Sequence, residues 1–227
     1  MNRTAIVIGG ASVIGMAITE HLLEGGWSVA VLDADQQAIS VAEDALAGED
    51  VMFLAADISD EDEMERAFDT AVDTMGLCSA LINCAGVRRE ALVEDTSVEM
   101  LREMLEINLV GPFIASQAAL ERMADQLVII HIVPANALKA KPGIGALAAS
   151  KAGLRMMSEV MALENAGRPV RVNCIAMAGS GSRRTIWTGT PGRIPGTQDV
   201  AGAVSYLLSD EARLVSGHTL VLGDDGE

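Results

Sequence analysis

Gly9-Gly10-Ala11-Ser12-Val13-Ile14-Gly15 follows a short apolar run, Ala5 to Ile8, and Asp33 closes the next such run 18 residues after Gly15. Glycines at this spacing after a strand suit a dinucleotide. The first makes a tight turn and the last lets the next helix pack closely, while a carboxylate at Asp33 could accept bonds from an adenosine ribose. Groups able to move protons are scarce: the 227 residues include one tyrosine, Tyr206, and three histidines. The three cysteines, Cys78, Cys84 and Cys174, have no metal-ligand spacing and lie in or beside apolar runs. They predict reduced core thiols, a cytoplasmic setting and no metal site.

The elements that would position these residues recur regularly. Apolar runs at Ala5–Ile8, Ser28–Leu32, Val51–Ala55, Ala80–Asn83, Leu127–Val133, Val170–Ile175 and Thr219–Leu222 read as buried strands. Between them, helical spacing predicts helices over Ile14–Glu24, Glu61–Met75, Val98–Met123, Gly145–Ala166 and Gln198–Leu208. Strand alternating with helix, with nearly continuous apolar strands, predicts an α/β fold: one doubly wound parallel sheet of about seven strands with helices on both faces. The acidic run Glu61, Asp62, Glu63 and Glu65 would complement a helix N-terminus. One domain over 1–227 is expected, with a loop over about 178–196 above the carboxyl ends of the strands, where such sheets bind ligands.

Composition narrows the partners. With 32 acidic and 16 basic residues, a net charge of −16 and a pI near 4.5, the chain is poorly suited to nucleic acid or anionic membrane surfaces. Met1 to Arg3 lead directly into a strand-like run, so no leader is expected. No apolar stretch reaches the roughly 18 to 20 residues of a membrane helix. A cytoplasmic protein with no membrane partner is the expectation.

Further segments occur in a telling order: Ala56-Asp57-Ile58, Asn83-Cys84-Ala85-Gly86, Ile107-Asn108-Leu109-Val110-Gly111 and Ala149-Ser150-Lys151-Ala152-Gly153-Leu154. Arg171-Val172-Asn173-Cys174-Ile175-Ala176, Asp199-Val200-Ala201 and Leu207-Leu208-Ser209-Asp210-Glu211-Ala212 come after them. With the glycine turn, they resemble the landmarks of the short-chain dehydrogenase/reductase family along almost the whole chain. The resemblance implies a Rossmann-type sheet and NAD(H) as cofactor, held by Gly9, Ser12, Ile14, Gly15, Asp33, Asp57, Ile58, Asn83, Ala85, Gly86 and Lys151. Asp33 would favour NAD, because its carboxylate repels a 2′-phosphate.

The resemblance also implies hydride transfer at a carbonyl or alcohol carbon, with a tyrosine moving the proton, a serine holding the oxygen, and a lysine four residues beyond the tyrosine. Lys151 and Asn108 are present, but Leu147 stands at the tyrosine position and Pro134 at the serine position. Leucine moves no proton and proline lacks even a backbone N–H. Losing a positioned acid/base alone forfeits roughly 10² to 10⁴ in rate. No other residue is expected to substitute. Tyr206 is predicted to pack in the core far along the chain, and His131 to be buried against a helix on the face opposite Ile132 and Pro134. Ser150 and Asn136 do not titrate near neutrality. Val13 occupies the middle glycine position, where a branched side chain would crowd a pyrophosphate. Met177-Ala178 replaces the family's P-G beside the nicotinamide.

One feature opposes the global charge. Arg88, Arg89, Lys139, Lys141, Arg183, Arg184 and Arg193 all fall in loops after the carboxyl ends of strands four to six. They predict a locally positive mouth for an anionic ligand, such as an acyl-CoA, or for an acidic partner. The leading reading is a non-catalytic subunit that pairs through the helices at 98–123 and 145–166 with an active NAD-dependent paralogue, as a hetro-oligomer that it stabilises or regulates. The Met-rich composition of those helices, including Met100, Met104, Met156, Met157 and Met161, suits an adaptable surface. The positive rim makes a 3-hydroxyacyl-CoA dehydrogenase of the benzylsuccinyl, anaerobic aromatic-degradation type a candidate partner. Two alternatives stay open: an NAD(H)-dependent oxidoreductase with altered proton transfer, and a module that senses a nucleotide or acyl-CoA.

Overall fold

The computed structural model describes residues 3–177 and 195–223, apart from the side chain of Asn136. Seven parallel strands form one sheet in the order β3-β2-β1-β4-β5-β6-β7. They are β1 (Arg3–Ile8), β2 (Trp27–Asp33), β3 (Val51–Ala55), β4 (Cys78–Asn83), β5 (Met123–Pro134), β6 (Val170–Met177) and β7 (Thr219–Leu222). The helices are α1 (Val13–Glu24), α2 (Gln36–Ala45), α3 (Glu61–Met75), α4 (Val98–Leu105), α5 (Gly111–Glu121), α6 (Gly145–Glu164) and α7 (Thr197–Leu208).

Alternation along each strand feeds two cores. On one face Ile6, Leu32, Leu81, Ile129 and Val172 pack against Met64 and Phe68 of α3, Ala115 of α5 and Met161 of α6. On the other, Val7, Val31, Ile82 and Ile130 meet Ile18 and Leu22 of α1 and Val200 and Val204 of α7. Both faces are dry, so the strands must read as continuous apolar runs. The strand order reverses between β1 and β4, and the crevice above their carboxyl ends is the place where such sheets bind ligands.

Helix starts follow the sequence closely. Asp60 accepts from the Glu63 amide at the start of α3, with Glu61, Asp62 and Glu63 in the first turn, and Asp35 caps α2 by accepting from Gln37 and Ala38. The helix α2 has no counterpart among the helices that helical spacing predicts. It buries only Ile39 and Ala42, too few apolar positions to stand out by period.

The predicted helix over 98–123 is corrected in two ways. A π-helical segment, Glu106–Val110, joins α4 to α5 just before Pro112. Proline's ring and missing N–H disrupt the regular ladder, and a wider turn absorbs that disruption. The rod then stops at Glu121, because the Cys78 amide bonds to Arg122 O and draws Met123 into register with Cys78 as the start of β5. Ala124, Asp125 and Gln126 therefore belong to a strand and form no separate connection. The loop expected over 178–196 lies outside the described residues except for its last two positions.

Candidate functional site

At the crevice, Gly9 adopts φ +69°, and a Cβ there would lie 2.7 Å from the Ala85 nitrogen. The turn after β1 and the turn after β4 thus touch through backbone, which only glycine allows. Ser12 caps α1: its hydroxyl donates to Gly9 O at 2.6 Å and accepts from Gly15 N at 3.2 Å. The amides of Val13 and Ile14 meet no protein acceptor among the described residues, leaving two N–H groups at a helix start able to bind an anion. Val13 itself is 79% exposed beside them.

Asp33 is already at work within the chain. One carboxylate oxygen accepts from Ala11 N and the other from Asp35 N, both at 3.1 Å, so Asp33 splints the glycine turn while keeping lone pairs free. Asp57 accepts from the amide and hydroxyl of Ser59, and its own amide donates to Glu63. Gly9, Ser12, Asp33, Asp57, Ile58 and Gly86 all border one cavity of about 290 Å³. The fit to a nucleotide is sound: open amides, an acidic ribose seat, and a hollow beside them.

A second cavity of about 270 Å³ adjoins the first, the two sharing Cys84, Ala85, Gly86 and Val87. Its walls include Ile132, Pro134, Leu147, Met177 and Lys151. Leu147 is 1% exposed and packs against Met104, Ala137 and Ile144. The two positions where the family resemblance expects hydroxyls are therefore hydrocarbon, and they lie on the wall of one hollow.

Lys151 is 3% exposed on α6. Among the described residues its one hydrogen bond is to Ala85 O, at 3.4 Å. Burial lowers its proton affinity to about 8, partly opposed by the nearby thiols of Cys174 and Cys84. A Cβ on Gly86 would fall 2.9 Å from Lys151 Nζ and 2.8 Å from Asn108 Oδ1, so this glycine makes room for both. Asn108, in the π segment, grips Val87 twice: Oδ1 accepts from its amide and Nδ2 donates to its carbonyl, each at 2.9 Å. Nδ2 also reaches Ser150 Oγ at 3.2 Å. Asn108 thereby holds the turn that floors both cavities.

His131 is buried as expected, on the α6 side of the sheet, level with Asn83 on β4 and Cys174 on β6. Among the described residues neither of its ring nitrogens has a partner, nor does Asn83 Nδ2, while Asn83 Oδ1 accepts from Ala85 N. Desolvation drives His131 down to about 3, with the Lys151 charge adding to the effect, which leaves the ring neutral and unsuited to general-base work. Nothing in the linear sequence signals this orphaned pair; it arises from strand register alone. Cys84, though only half-buried, has its thiol raised to about 12 by desolvation.

Three further expectations change. Tyr206 is 45% exposed on α7, so it is a surface residue and not core; helical period turned it outward from Val204 and Leu207. In the described part of the expected positive mouth, Arg88 pairs with Glu90 and Arg89 with Glu103, which offsets those two charges. Lys141 acts on the same Glu90, helping to lower its carboxyl, while Lys139 is exposed. Arg183, Arg184 and Arg193 lie outside the described residues. Of the helix methionines, Met104 and Met161 are buried, Met100 and Met157 half-buried, and only Met156 is exposed.

A family model described as short chain dehydrogenase matches residues 3–185. The chain belongs to the short-chain dehydrogenase/reductase family. It is 31% identical to carbonyl reductase family member 4 of Danio rerio, covering 98% of this chain and 97% of that one. It is also 31% identical to an NADP-dependent (R)-specific alcohol dehydrogenase of Lentilactobacillus kefiri, over 97% and 94% of the two chains. Among solved structures, a short-chain dehydrogenase/reductase from Serratia marcescens superposes with a TM-score of 0.89 at 28% identity, over 99% of this chain and 98% of that one. The family membership accounts for the sheet order and the crevice. Among the described residues no helix is long and apolar enough to cross a membrane.

Proposed function

We propose that this chain is a non-catalytic member of the family that assembles with an active NAD-dependent paralogue and stabilises or regulates it. One observation carries the reading: Leu147 and Pro134 line the same hollow beside Lys151, where family chemistry needs a proton donor and a hydroxyl. Neither side chain exchanges a proton, and neither His131 nor Tyr206 replaces them. Val110 and Phe113 at α5, with Met156, Val160 and Leu163 on α6, support an assembly surface. The α6 residues follow helical period, and Phe113 and Leu163 are 43% and 76% exposed. Large apolar side chains in a row on a surface favour burial against a partner. A hydroxyacyl-CoA dehydrogenase of the benzylsuccinyl type remains the proposed class of partner.

Co-expression of this chain with short-chain dehydrogenases of its own genome, followed by affinity purification and light scattering, tests the assembly. A reductase at equal stoichiometry is expected, and Phe113→Glu with Val160→Glu should release it. A neighbouring reductase that is fully stable and active alone, and does not associate, overturns the reading.

The second reading is an NAD(H)-dependent oxidoreductase whose proton transfer takes another route. It is favoured by the open amides of Val13 and Ile14 above a hollow bordered by Asp33 and Gly86. When bound, the cofactor would supply hydride chemistry. The residues of this chain that would hold it are the α1 amides, Asp33 at the ribose, Asp57 and Ile58 at the adenine end, and Lys151 near the second cavity. NADH fluorescence titration decides: no binding at high micromolar concentration removes this reading and leaves the assembly proposal intact.

A further inference from the structure

The amine of Lys151 stands where the two cavities meet, above Gly86, which borders both. Its surroundings offer an ammonium little. Three N–H donors share one long bond to Ala85 O, and among the described residues no carboxylate lies within ion-pair distance. A buried charge with one weak partner is costly, so the group gives up its proton at lower pH than an ordinary lysine. The lowering to about 8 agrees with that geometry. A desolvated, partly neutral lysine in an apolar pocket is a nucleophile toward carbonyl carbon. With Leu147 in place of a hydroxyl, no neighbouring phenol competes for the carbonyl oxygen.

We propose that Lys151 condenses reversibly with a small apolar aldehyde or ketone seated against Leu147, Pro134 and Ile132, forming an imine. The nitrogen lone pair attacks the carbonyl carbon, and the C=O π pair moves to oxygen. One proton passes from nitrogen to oxygen to give a carbinolamine. Loss of water, taking the second nitrogen-bound proton, then leaves the C=N bond. The step consumes no oxidant or reductant. The hollow, about 270 Å³, has room for a compact ligand such as an aromatic aldehyde. Among the described residues Arg88 is the one other charged group on its otherwise largely apolar lining, and that guanidinium is engaged by Glu90, so the hollow suits an uncharged carbonyl compound. The inference depends on neither nucleotide binding nor a partner subunit, so its failure would leave both readings of function untouched.

Lysine is scarce enough to make the test clean: Lys139, Lys141 and Lys151 are the only three in the chain, and the first two are exposed. The full-length protein is treated at pH 8 with benzaldehyde and sodium cyanoborohydride, then mapped by peptide mass spectrometry. The Lys151 peptide should gain the mass of benzaldehyde less one oxygen, at least tenfold faster than the Lys139 and Lys141 peptides. Its labelling should rise between pH 7 and 9. Glyoxylate, a charged aldehyde, should label Lys139 and Lys141 in preference. Labelling of Lys151 no faster than of the exposed pair, or equally fast with glyoxylate, overturns the proposal.

Discussion

Replacing Lys151 by methionine should stabilise the protein at neutral pH and remove a specific part of its pH dependence. The lysine is 3% exposed, with one 3.4 Å hydrogen bond among the described residues. Folding lowers its proton affinity from the ordinary 10.5 to about 8. The unfolded chain therefore binds more protons than the folded one between those values. Wild-type stability should rise as pH climbs from 8 to 10.5, and the full penalty should be present below 8. At about 1.4 kcal/mol for each tenfold change in proton affinity, the penalty is on the order of 3 kcal/mol. Methionine fills a similar volume without a charge, and the bond it gives up is long. Urea unfolding of both proteins at pH 7, 8, 9 and 10 measures the effect, and subtracting one from the other cancels every titration they share. The variant should be more stable by about 2 to 4 kcal/mol at pH 7, with the gap closing toward pH 10.5. A pH-independent difference would refute the account of a buried charge held by one long hydrogen bond.

Other perturbations test neighbouring parts of the site. Gly86→Ala would push a methyl to 2.8 Å from Asn108 Oδ1, which cannot yield because it is tied to Val87; a loss of about 1–3 kcal/mol, read by thermal unfolding, is expected. Val13→Gly should tighten NADH binding roughly tenfold, about 1.4 kcal/mol, if the isopropyl group competes with the pyrophosphate; an unchanged Kd shows that it does not. His131, held near 3 against an ordinary 6.5, takes up protons on unfolding between those values, so stability should fall as pH drops from 6.5 toward 3. His131→Leu should flatten that limb in acid unfolding curves without loss at pH 7, since it removes two unpartnered nitrogens. Pro134→Ser with Leu147→Tyr should raise carbonyl reduction on the order of 10² to 10⁴ above the parent if the cofactor seat is functional. NADH binding with no such gain would place the defect elsewhere.

The amino-acid sequence alone determined the family, the strand succession and the presence of leucine and proline at positions 147 and 134, because each depends on residue type and local order. Buried parallel strands write themselves as apolar runs, Asp60 and the acids after it announce a helix start, and leucine at 147 is chemically final wherever it sits. Tertiary structure decided what no linear pattern encodes. Period turned Tyr206 outward, and Glu90 and Glu103 met Arg88 and Arg89 to quench much of the described part of a mouth that had counted as positive. Register set His131 beside Asn83 with no partner for its ring nitrogens among the described residues. The packing of α6 over Gly86 left Lys151 nearly without water and, among the described residues, with one long bond to Ala85 O, and so with a weaker hold on its proton. Solvation and pairing are properties of neighbours in space, and the sheet's crossover, not the chain's order, brings those neighbours together.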